Sequence, residues 1–290
     1  MTLYQALLEP FTAFGFMSRA LVGAIILSVS AGPVGVFLML RRMSLTGDAM
    51  AHAILPGAAA GFLVSGLAIL PMTLGGFAAG LVVALLAGLV SRFTIQREDT
   101  SLAAFYLISL ALGVMLVSLK GSNVDLMHVL FGTVLALNDD ALVMIGAIAT
   151  ISLVGLAVIW RPLVAECLDP TFLRSVSKVG HPVHLIFLAL VVLNLVGGFQ
   201  ALGTLLAVGL MMLPAAAARF WVRGLEGMCA LAVLFGIASS YCGLLVSYHL
   251  SVATGPAIIL VAGTIYTTSL VFGRRGVIFT RVPAPRHRVA

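Results

Sequence analysis

Charge is what this chain has least of. Asp, Glu, Lys and Arg make up 9% of its 290 residues, against about 25% in a soluble domain. Its lysines are Lys120 and Lys178. Neither follows the glycines of a G-x-x-x-x-G-K-[ST] loop, which excludes ATP binding by that route. Cysteine is sparse and scattered. Cys167, Cys229 and Cys242 form no C-x-x-C pair, so neither a disulfide framework nor a structural zinc site is implied. There is no H-E-x-x-H and no G-x-S-x-G, which argues against an intramembrane metalloprotease or a serine hydrolase. The formal charge of +6 could suggest a nucleic-acid partner. No interleaved basic-aromatic patch supports that, and none is expected to bind. No basic stretch precedes a short apolar one at the N-terminus, so a cleaved signal peptide is not expected.

What the chain has is apolar length. Hydrophobic residues make up 61%, and the mean hydropathy is +1.18. Apolar runs fall near 20–40, 49–70, 72–90, 102–119, 141–160, 182–199, 201–218, 228–248 and 256–272. Each approaches the roughly 20 residues that a helix needs to cross the hydrocarbon core. The expected fold is an all-α polytopic membrane protein with nine spans. Eight is the other count, because 182–218 could hold one crossing plus a re-entrant piece. Asn194, Gly197, Gly198, Gln200 and Gly203 mark the expected break there. Residues 1–18 read as an interfacial segment, 19–272 as the membrane domain and 273–290 as a basic tail. Small residues within spans, as in Gly80, Ala84 and Gly88, are expected to let helices pack closely.

The basic residues set the orientation. If the loops after spans 1, 3, 5, 7 and 9 are cytoplasmic, they hold all of the 16 basic residues except Arg19 and Lys120. The positive-inside rule then places the N-terminus outside and the C-terminus in the cytosol.

One stretch interrupts the apolar pattern with chemistry. Arg41-Arg42-Met43-Ser44 leads through a Thr46-Gly47 turn signal to Asp48 and, four residues later, His52. On a helix, this spacing puts the carboxylate and the imidazole on one face. An ionisable pair entering an apolar helix is a functional-site hypothesis by default. Oxygen and nitrogen together make half a site for a divalent transition metal. Incomplete coordination suits an ion that must leave again, and two copies across a symmetry axis would supply four ligands. The plainer reading is that Asp48 favours the helix N-terminus and pairs with His52.

The remaining polar positions carry weaker signals. The outer loop 120–140 holds Asp125, His128, Asn138, Asp139 and Asp140. It is a solvated connection capped by Asn138-Asp139-Asp140, or a surface for contact or transient metal capture. The inner loop 161–181 holds Glu166, Asp169, Pro170, Phe172, Leu173, Val176 and Gly180. Asp169-Pro170 starts a short helix with one apolar face, and Gly180 ends it. That helix lies on the membrane surface or docks into a partner. His181 and His184 read as surface residues near the cytosolic interface, and His249 as a residue at the outer end of span 8. Met211 and Met212 read as packing.

These motifs resemble those of the zinc/manganese-type permeases of bacterial ABC importers. The resemblance runs from Arg41-Arg42-Met43-Ser44, Gly47-Asp48-Ala49, His52-Ala53 and Pro56-Gly57 through Val124-Asp125-Leu126 and Leu130-Phe131-Gly132. It continues with Asp169-Pro170-Thr171-Phe172, Gly180, Gly203-Thr204-Leu205-Leu206 and Leu213-Pro214-Ala215, and ends at Gly255-Pro256-Ala257-Ile258-Ile259. It implies a type II ABC importer-like permease in the bacterial cytoplasmic membrane, itself not an enzyme. It implies a homodimer with two cytosolic ATP-binding cassette subunits and a periplasmic or tethered metal-binding protein outside. Asp48 and His52 would line the translocation path. The loop around 165–180, with Glu166, Asp169, Pro170, Phe172, Leu173, Val176 and Gly180, would couple to the ATPase. Asp125, His128 and His249 are candidate outer-face contacts. No cofactor is expected to be held permanently, and the metal is cargo. Histidine favours zinc and carboxylate favours manganese. The sequence leans to zinc, with manganese or iron as the other reading. An ATP-independent secondary carrier is a weaker candidate, because no second G-D-x-x-x-H copy marks an internal repeat. An intramembrane enzyme using Asp48 and His52 as acid and base lacks a nucleophile.

Overall fold

The computed structural model describes residues 7–66, 68–119, 137–168 and 180–278. Among these residues, the regular elements are all helices. They are α1 (Glu9–Ala13), α2 (Gly15–Leu40), α3 (Ser44–Ala53), α4 (Leu55–Ser65), α5 (Ile69–Phe93), α6 (Glu98–Leu119), α7 (Asp139–Leu168), α8 (Gly180–Leu202), α9 (Thr204–Ala218), α10 (Leu225–Leu250) and α11 (Thr254–Phe272). The all-helical membrane architecture expected from composition is therefore present. Among the described residues, eight helical segments are long and apolar enough to cross a membrane, with α3 and α4 counted as one segment, Ser44–Ser65. The ninth expected span is the shorter α9, Thr204–Ala218.

Helices α2 and α8 form the centre. Around α2 pack α7, α9 and α10, and α8 lies against α7, α5 and α9. Phe37 and Phe187 meet there, fully buried, with ring centroids 6.2 Å apart. The peripheral helices turn one apolar face outward, where Leu107, Val143, Val158 and Leu260 are exposed. An apolar exterior is expected where the solvent is lipid.

Several expected boundaries move, each for a physical reason. The Thr46-Gly47 turn signal falls inside α3. The turn lies earlier, where Arg42 takes φ 60°. There Met43 N–H donates to Leu38 O (2.9 Å) and Arg42 N–H to Met39 O (3.1 Å), the paired bonds of a Schellman ending. Gly47 answers a packing need, since a Cβ there would stand 2.6 Å from Met212 Cε. The Ser44–Ser65 segment is broken at Ile54 because Pro56 has no N–H to return to the carbonyl four residues back, that of His52.

Helix α7 does not end at Arg161-Pro162 but continues through Pro162 to Leu168. Leu163 is fully buried and Glu166 is held by Arg41, so tertiary contacts compensate for the one missing helical bond. At its start, Asn138 Oδ1 accepts from Ala141 N–H at 2.9 Å, the cap expected of Asn138-Asp139-Asp140. Between α8 and α9 the break is Gly203, at φ 92°. Asn194 instead sits within α8 and donates to Ser152 Oγ of α7 at 2.8 Å. Gly198 admits α9, since a Cβ there would lie 2.6 Å from Ala207 Cβ. In the N-terminal segment, Phe11 stacks on Tyr241 at 5.2 Å, and Tyr241 Oη donates to Leu7 O at 3.0 Å.

Candidate functional site

Asp48 and His52 share one face of α3, as their spacing predicts. His52 Nε2 lies 3.9 Å from Asp48 Oδ1, too far for a hydrogen bond. The Asp48 side chain is 66% exposed and that of His52 31%. Tyr106 of α6 stacks on the imidazole, with centroids 6.2 Å and planes 30° apart. His52 Nδ1 is buried and has no hydrogen-bond partner among the described residues. Helix α3 itself is wedged between α6, α8, α5 and α9. A carboxylate oxygen and an imidazole nitrogen thus share one face of a well-supported helix. No group of three or more His, Cys, Asp or Glu that could hold a metal occurs among the described residues.

A second polar cluster lies at the bundle end where α2 finishes. Arg41 Nη2 donates to Glu166 Oε1 at 2.9 Å and also to His184 Nδ1. His184 Nε2 is 2.8 Å from Glu98 Oε1. The guanidinium also lies over the Phe187 ring, 5.2 Å from its centroid. The side chains of Arg41, Glu166 and His184 are 9%, 7% and 13% exposed. Removing one partner of such a buried pair typically costs about 3–5 kcal/mol, because the other charge is stranded. This corrects the expectation that His184 is a surface residue. Topology rules had used Arg41 only as a positive mark. The signal that could have flagged it was an ionisable residue at the end of each of four apolar helices.

Of the other candidate residues, Glu166 turns its carboxylate into the bundle and Gly180 is the first residue of α8. His249 lies in the last turn of α10, edge-on to Tyr248 at 5.3 Å. Asp125, His128, Asp169, Pro170, Phe172, Leu173 and Val176 lie outside the described residues.

Comparison with known proteins agrees with this architecture. The profile of the ABC 3 transport family matches residues 13–273. The chain is 34% identical over 256 residues to the manganese import system permease protein ScaB of Streptococcus parasanguinis, covering 88% of this chain and 90% of that one. It is 29% identical over 283 residues to the chelated iron transport system membrane protein YfeD of Yersinia pestis, covering 98% and 94%. Among solved structures it is similar to PsaBC from Streptococcus pneumoniae, bound to a Fab, with a TM-score of 0.82 and 31% identity over 92% of this chain and 95% of that one. With a family match that runs through nearly all of its helices, the chain belongs to the ABC 3 transport family, the permeases of metal ABC importers.

Proposed function

We propose that this permease imports manganese, with iron as the second cargo, and that Asp48 and His52 contact the ion in transit. The observation that carries this is the open pair on α3, with His52 Nδ1 unclaimed among the described residues and no third ligand beside it. Weak, incomplete coordination lets an ion enter and leave. The zinc preference drawn from His52 gives way here. Zinc sites favour several nitrogen or sulfur ligands, whereas oxygen suits the harder manganese ion. The relatives are named for manganese and iron. The test is uptake of each metal by the reconstituted importer in vesicles. Manganese should enter faster than zinc, and zinc uptake without manganese uptake would refute the assignment. His52→Asp should weaken zinc transport more than manganese transport.

The reading extends to the assembly. A second copy would face the Asp48 side and complete the coordination shell. Two ATPase subunits would sit at the cytosolic end, meeting the segment around Phe172 and Leu173, and a binding protein would deliver metal from outside. The location is the bacterial cytoplasmic membrane, with the C-terminus inside. The distribution of basic residues supports this orientation. Labelling of single cysteines from outside should reach position 122 and not position 175; the opposite pattern would reverse the topology.

A further inference from the structure

Residues 169–179 join α7 to α8, and the buried cluster takes one member from each side of that connection. Glu166 precedes it in the last turn of α7, and His184 follows it near the start of α8. Both bond one atom, Arg41 Nη2. Arg41 caps α2 and opens the turn into α3, which carries Asp48 and His52. The far side of His184 bonds Glu98 in the first turn of α6. Helix α6 also carries Tyr106, the ring stacked on His52. One set of side chains therefore ties both flanks of the α7–α8 connection to the end of α2 that leads into α3 and to α6, the helices that carry Asp48, His52 and Tyr106.

The geometry points to Arg41 and His184 as positioning residues of the import cycle: a buried clasp that passes displacement of the α7–α8 connection to the helices holding Asp48 and His52. This rests on the proposal above that the connection meets the ATPase. Arginine only donates, so His184 Nδ1 accepts from Arg41 and Nε2–H donates to Glu98. The imidazole is then neutral, with both nitrogens committed. Such directional bonds do not stretch far. Helices α7 and α8 can shift against α2 and α6 only by carrying the hub along or by breaking it.

Stability alone is a weak reason for the cluster. Arg41 Nη1 and Glu166 Oε2 are buried without partners among the described residues. Replacing a buried ionic group with packed apolar residues is often neutral or stabilising. A link with discrete made and broken states is what a switching bundle uses.

The test uses the complete importer in vesicles: permease, ATPase and manganese-loaded binding protein. The readout is manganese moved per ATP hydrolysed. His184→Leu should leave the ATPase bound and hydrolysing while this ratio falls about tenfold. His184→Gln offers an acceptor and donors on one amide and should restore most of it. An unchanged ratio in His184→Leu, or a Gln variant as uncoupled as the Leu variant, overturns the proposal. Should His184→Leu fail to assemble, Glu98→Ala at the more exposed edge decides. A lowered ratio there supports the clasp, and a normal ratio overturns it. Phe172→Asp with Leu173→Asp separates the two readings. If this variant keeps the ATPase at full strength while His184→Leu still lowers the ratio, the contact at Phe172 and Leu173 fails while the positioning role of His184 in coupling stands.

Discussion

Asp48→Asn and His52→Ala each lower manganese uptake by about tenfold or more, while the importer assembles at close to its normal yield. The two halves of this result come from different physics. Uptake falls because, in the proposed role, each substitution removes a donor atom from a site that has two such side chains among the described residues. Assembly survives because the pair contributes little to the fold. Its atoms are 3.9 Å apart and the Asp48 side chain is 66% exposed, and a solvated i,i+4 pair is worth only about 0.3–0.5 kcal/mol. The double variant distinguishes a ligand pair from a structural one. A structural pair would lose assembly in each single variant and regain it in the double. Ligands leave assembly intact in all three and uptake low in all three. Normal uptake in His52→Ala would remove that residue from the path.

A large loss of folded protein is expected from Gly57→Val. Helices α4 and α5 approach until their backbones touch. A Cβ at Gly57 would stand 1.9 Å from the Gly75 carbonyl oxygen, and one at Gly75 would stand 2.2 Å from the Gly57 oxygen. A third close point is Gly61, where a Cβ would lie 2.5 Å from Pro71 O. The obstructing atoms are main chain, so no rotamer change relieves the overlap and the helices must separate. Overpacking of this kind typically costs about 1–3 kcal/mol, occasionally more, and lost close contact is not recovered from lipid. The drop should appear as a lower yield of monodisperse protein and a lower melting temperature. Gly88→Ala is the matched control, because nothing lies within 4 Å of a Cβ there. It should be neutral or slightly stabilising, as alanine is the better helix former. Equal behaviour of the two variants would contradict the α4–α5 contact.

The contrast between Gly57 and Gly88 also marks how far the sequence could be read. Both are glycines within small-residue stretches of apolar helices. Composition identifies such stretches as packing material, but the partner decides which glycine is indispensable. The same holds for the break between α8 and α9. Five residues suggested it, and Gly203 alone makes it, at φ 92°. Gly197 and Gly198 admit neighbouring side chains, and Asn194 bonds Ser152.

The sequence by itself determined the all-helical membrane architecture, the shared face of Asp48 and His52 and the cap at Asn138. Each depends on local rules: the length needed to cross a bilayer, the 3.6-residue turn and the reach of a side chain to a nearby N–H. Only the tertiary structure decided that α7 runs past Pro162, that α3 begins before Gly47 and that His184 turns inward to bond Arg41 and Glu98. It also decided that Arg41 meets Glu166 across 125 positions and His184 across 143. Such pairings follow from how helices cross and which ends coincide. No spacing in the chain encodes them, because the energy that selects them is shared among contacts distant in sequence.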